Sequence, residues 1–85
     1  MEFPDEVRGD VTNRLRRLEG QIRGVARMID DGEDCRAVIT QLSACKSALD
    51  RVSYRLIAGG MRHCATRPDG DIDVDELENL FVKLG

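Results

Sequence analysis

From Val11 the apolar residues fall at Val11, Leu15, Leu18, Ile22, Val25 and Ile29, alternately four and three apart. That heptad spacing predicts an amphipathic helix over about residues 8–30 with one apolar seam. Gly20 and Gly24 each weaken such a helix by about 1 kcal/mol relative to Ala, but they leave a flat strip where another helix can approach. The run Asp30-Asp31-Gly32-Glu33-Asp34 supplies a stop at Gly32 and a new N-cap at Asp34 or Asp31. A second seam follows at Val38, Leu42, Cys45, Leu49, Val52 and Leu56, widened by Ile39, Ala44 and Ala48. This second helix extends through Ile57, Ala58 and Met61 to Cys64 if Gly59-Gly60 does not break it. Arg67-Pro68-Asp69-Gly70 reads as a turn. Asp73 and Glu76 then form a capping pair for a third helix with Val74, Leu77, Phe81 and Leu84 on one face. No strand signal or repeat appears, so the reading is all-α, with residues 1–85 forming a single domain.

Composition changes the picture in one respect. With 85 residues, 41% hydrophobic, 4% aromatic and no Trp, the core must be aliphatic. A chain of this size buries only about 60–65% of its unfolded surface. Three helices with wide apolar faces therefore call for burial between chains, and two copies side by side make an antiparallel four-helix bundle from the first two helices. A lone three-helix bundle is the alternative. No apolar run of about 18 residues and no signal-peptide pattern occurs, so a cytoplasmic location and no membrane partner are expected.

The net charge of −3 conceals segregation. Residues 14–27 carry five arginines against Glu19, and residues 35–64 carry Arg36, Lys46, Arg51, Arg55 and Arg62 against Asp50, while the remaining segments are acidic. Binding to a polyanion depends on the local field, not the total, so Arg14, Arg16, Arg17, Arg51 and Arg55 are the candidate basic face. Independent solvated charges are the competing reading. The acidic run Asp69, Asp71, Asp73, Asp75 fails as a calcium loop, because an EF-hand beginning at Asp69 needs Gly and Glu where Val74 and Leu80 stand.

Cys45 falls on the second seam, where a thiol behaves as a small hydrophobe. Cys35 and Cys64 stand at opposite ends of the second helix, about 43 Å apart if it is straight, so they cannot meet within one chain. In an antiparallel dimer Cys35 of one protomer lies beside Cys64 of the other, giving two equivalent dithiol sites; two unrelated thiols are the alternative. His63, one residue from Cys64, points about 100° away and reads as a surface imidazole. No set of nucleophile, base and orienting group is present, so an enzyme is not expected.

The segments Arg14-Leu-Arg-Arg17-Leu-Glu-Gly20-Gln21-Ile-Arg-Gly24 and Cys35-Arg-Ala-Val-Ile-Thr-Gln41-Leu-Ser-Ala44, followed by Cys64, resemble the CsoR/RcnR family of bacterial ligand-responsive repressors over about residues 8–84. The resemblance implies an antiparallel helical dimer assembled into a disc-like homotetramer without a helix-turn-helix, and double-stranded operator DNA as partner. Arg14, Arg17 and Arg51 match the family's DNA-contacting positions, and Cys35 and Cys64 match its inter-subunit sensing site. Copper-sensing members carry His one turn before the second cysteine, where this chain has Gly60, and tend to have Tyr before the first, where it has Asp34. The further histidines of nickel and cobalt members are absent as well. Keeping both thiols without the histidine looks like the CstR branch. The function expected is then a repressor released from DNA when reactive sulfur species convert the cysteine pair to persulfide-derived links, with no cofactor required. One alternative is a Cu(I)-responsive repressor with Cys35 and Cys64 as metal ligands and Met61 nearby. Another is a thiol- or copper-binding bundle that does not touch DNA.

Overall fold

The structure, a computed structural model, describes residues 2–66 and 74–84, apart from the side chains of 63–66 and 74. Three helices follow in order: α1 (Asp5–Asp30), α2 (Cys35–Thr66) and α3 (Val74–Leu84). No strand occurs among the described residues. The predicted turn at Arg67–Gly70 and the cap at Asp73 lie outside them.

Helix α1 begins three residues before the seam predicts, because Pro4 takes the N-cap position with φ −56° and its carbonyl accepts the Arg8 N–H at 2.9 Å. Asp5 and Glu6 in the first turn suit the positive end of the helix dipole. The helix stops where Gly32 takes φ +71°, a left-handed conformation that is costly for other residues. Gly32 N–H donates to the Ile29 carbonyl at 3.1 Å and Glu33 N–H to that of Met28 at 3.0 Å, which is a Schellman closure. Of the two candidate caps for α2, Asp34 takes the role, its Oδ2 accepting the Arg36 N–H at 3.2 Å.

The α1 seam divides in two. Val11, Leu18 and Val25 are buried, whereas Leu15, Ile22 and Ile29 are 42–60% exposed. On α2, Cys45 and Val52 are buried and Val38 is half-buried, while Leu42 and Leu49 are about half exposed. Residues seven apart stay on nearly one line of a helix, and a single antiparallel neighbour covers only one such line of a two-line seam. One core cluster joins Val7, Val11 and Val52 with Phe3 and Leu56, and a second joins Leu18, Val25 and Cys45 with Val38 and Ala48. No other helix approaches the Gly20–Gly24 strip among the described residues: an added Cβ at Gly24 meets nothing there within 4 Å, and at Gly20 only the Arg23 guanidinium at 4.0 Å.

Helix α2 continues unbroken through Gly59-Gly60, and both glycines are contact points. A Cβ on Gly59 would stand 3.1 Å from Val7 Cγ1, and one on Gly60 would stand 3.1 Å from Leu77 Cδ1. The two glycines thus admit α1 and α3 close to the α2 backbone. On α3, Leu77 is buried and Phe81 half-buried, but Leu84 is half exposed, so the predicted apolar face is only partly covered. The result is a flat body of 54 × 24 × 13 Å, little thicker than one helix. No described helix is long and apolar enough to cross a membrane.

Candidate nucleic-acid interface and thiol site

Arg14, Arg17 and Gln21 sit three, four and seven apart on α1 and so share one flank of it. The hairpin brings Arg51 of α2 opposite them, and together they line a shallow cleft of about 160 Å³ floored by Leu18 and Ala48. Arg17 and Arg51 make no ion pair among the described residues. An open cleft lined by three like charges, two of them without an ion-pair partner among the described residues, is suited to an external anion.

Beside it Arg14 and Arg55 share one carboxylate. Arg14 Nε donates to Asp10 Oδ1 at 3.0 Å, and Arg55 Nε donates to Asp10 Oδ2 at 3.1 Å, tying α1 to α2. The hydrogen bond from Arg14, and then that from Arg55, hold the Asp10 carboxyl below the usual carboxylate range. Of the five arginines proposed from sequence, three therefore converge on the cleft and Arg55 joins them through Asp10. Arg16 is exposed but lies outside the cleft, since adjacent helical residues point about 100° apart. Asp10 was not singled out from sequence. Its spacing of four from Arg14 was a visible signal, but its pairing with Arg55, 45 residues away, was not.

Cys45 is 4% exposed and packs with Leu18 and Val25, as expected for a thiol acting as a small hydrophobe. Cys35 is exposed in the first turn of α2, in a mainly apolar cleft of about 180 Å³ with Ile29, Glu33, Val38 and Ile39. Cys64 falls in the last turn of the same continuous helix; its side chain, like that of His63, lies outside the described residues. Gly60, one turn earlier, is buried, with Leu77 against it. Among the described residues no group of three or more His, Cys, Asp and Glu side chains is placed to hold a metal ion.

Residues 8–83 match the family model for metal-sensitive transcriptional repressors. The copper-sensing transcriptional repressor RicR of Mycobacterium tuberculosis (strain ATCC 25618 / H37Rv) is 47% identical over 85 aligned residues, covering 93% of this chain and 88% of RicR. The crystal structure of the copper-sensing repressor CsoR with Cu(I) from Geobacillus thermodenitrificans NG80-2 superposes with a TM-score of 0.82 at 27% identity, over 99% of this chain and 92% of that one. The nickel-responsive transcriptional regulator InrS superposes with a TM-score of 0.69 at 32% identity, over 88% and 84% of the two chains. The helical hairpin is thus shared by proteins that respond to different ligands, and the family match spans nearly the whole chain. The protein belongs to the metal-sensitive transcriptional repressor family.

Proposed function

We propose that this repressor binds double-stranded DNA through the cleft of Arg14, Arg17 and Arg51, and is released by chemistry at Cys35 and the Cys64 of a second copy. The observation that carries the DNA reading is the convergence of three arginines from two helices on one open cleft. The uncovered row Leu15, Ile22, Ile29, Leu42 and Leu49 supports the second copy. Leu15 follows Arg14 and Ile22 follows Gln21, so this row is turned roughly a quarter-turn away from the cleft. Two hairpins joined on it form an antiparallel four-helix dimer with arginines outward, and such dimers pair further into the tetramer.

The residues favour a site of two thiols with no third ligand. Residue 60 has no side chain, and Leu77 of α3 occupies the space into which one would grow. Two thiols facing each other across an interface suit reactive sulfur. A sulfane-sulfur donor makes one cysteine a persulfide, and the partner thiolate attacks its inner sulfur. Hydrosulfide leaves and a disulfide remains; where both cysteines have become persulfides, the terminal sulfur of one attacks the inner sulfur of the other, hydrosulfide again leaves and a trisulfide remains. Such a link ties the end of α2 to the start of its partner and shifts the assembly to a geometry that no longer fits DNA. A second reading, Cu(I), is favoured by the copper-sensing relatives, RicR above all. Cys35 and Cys64 would then hold the ion as a soft, two-coordinate thiolate site.

A DNA-release assay with Cu(I) and a persulfide donor in parallel, followed by intact mass, tests the assignment. Persulfide is expected to release DNA and crosslink dimers, in the wild type and Cys45→Ser but in neither Cys35→Ser nor Cys64→Ser. Release by stoichiometric Cu(I), with mass and affinity unchanged by persulfide, makes the copper reading correct.

A further inference from the structure

The Asp10 carboxylate joins α1 to α2 by binding two arginines of the basic face at once, one from each helix. We infer that Asp10 is a positioning residue for DNA recognition: it aims Arg14 and Arg55 and so sets the preference for operator over unrelated DNA. The inference rests on the DNA reading above.

Both bonds are made through Nε, at 3.0 and 3.1 Å. A guanidinium is planar and rigid, so gripping its inner N–H fixes the direction of the plane and leaves the outer nitrogens for a phosphate or a base edge. Arg14 is held in this way at the rim of the cleft that Arg17 and Arg51 line. Arg55, with a side chain 30% exposed, is held from α2 by the other oxygen of the same carboxylate. An untethered arginine must be ordered when DNA binds, and that cost weighs most on a complex requiring one defined geometry. Loose, sequence-independent binding asks only for charge, and there a carboxylate beside the arginines is a hindrance. Removing the carboxylate charge therefore acts in opposite directions on the two kinds of binding.

The experiment compares a duplex selected by the protein from a random pool with a scrambled duplex of the same length. Asp10→Asn should weaken binding to the selected duplex by about tenfold while leaving binding to the scrambled one equal or stronger, with a salt dependence at least as steep as that of the wild type. Asp10→Glu, which keeps the charge and both acceptors, should recover part of the ratio. Thermal unfolding of Asp10→Asn at neutral pH should fall only slightly, by the small increment that a partly exposed ion pair contributes. A rise in both affinities, an unchanged ratio, or a parallel fall in both together with the melting temperature would overturn the inference. Arg14→Ala and Arg51→Ala keep its failure distinct from that of the DNA reading. If both leave every affinity unchanged, the face is misassigned and the inference falls with it; if both lose binding while Asp10→Asn strengthens the selected complex, the face stands and the inference alone fails.

Discussion

Arg16 and Arg17 are adjacent, identical in chemistry and unequal in position. Arg17 lines the cleft and Arg16 does not. Arg17→Ala is therefore expected to weaken operator binding by about tenfold, the value of one charge-assisted hydrogen bond of roughly 1.5 kcal/mol, whereas Arg16→Ala should stay within about twofold; anisotropy titrations measure both. The helical step of 100° was available from sequence to separate the two, but the flank facing Arg51 is fixed only once α2 is docked. Cys45 was legible because its position on the α2 seam already implied burial. The Asp10–Arg55 bond was not, because the 45 intervening residues conceal it. That bond also matters in acid. The Asp10 carboxyl is held below its ordinary value in the folded protein, so its contribution to stability is complete above the unfolded value near pH 3.9 and is lost as pH falls through the lower, folded one. Denaturation followed from pH 5 downwards should show the wild type losing this increment below about pH 4, with Asp10→Asn lacking it throughout and titrating more weakly there.

At the scale of the helices, the 4-3 spacing located both long elements, and the Gly32 and Asp34 signals located the turn between them. What spacing does not contain is which line of a two-line seam the chain covers for itself. Val11, Leu18 and Val25 meet α2, and Leu15, Ile22 and Ile29 do not. Gly59-Gly60, which looked like a weakness from sequence, is where packing compensates for low helix propensity. The two glycines differ in what surrounds them. At Gly59 the two nearest atoms are both γ-methyls of Val7, which is fully buried and stiff about χ1. At Gly60 the nearest atom is the far end of a leucine on α3. Gly59→Ala should therefore destabilise by about 1–2 kcal/mol despite its better helix propensity, because overpacking outweighs it. Gly60→Ala should be near neutral, with Leu77 giving way. Urea denaturation of the two variants gives the comparison, and equal effects would mean that the close approach of α1 is not what requires Gly59.

For the molecule as a whole, a radius of gyration of 16.5 Å compares with about 12 Å for a compact domain of this length. An open layer with a row of leucines and isoleucines exposed fits one half of the proposed bundle, and sedimentation at micromolar concentration should show a dimer or tetramer; a folded monomer of 9.5 kDa would contradict it. The need for a partner was legible in the width of the seams and the shortness of the chain. The separation of an apolar side from an arginine side was not, because it depends on how α1 and α2 are rotated about their own axes. That separation is the basis for placing DNA on the side of Arg14, Arg17 and Arg51. The most direct test is operator affinity as a function of salt for the wild type and for Arg17→Ala/Arg51→Ala, the pair without internal ion-pair partners among the described residues. The double variant should remain assembled, bind at least about a hundredfold more weakly at low salt, and show a shallower dependence of log K on log salt by about one for each phosphate that is no longer neutralised. An assembled double variant with unchanged affinity and unchanged salt slope would place DNA on another surface.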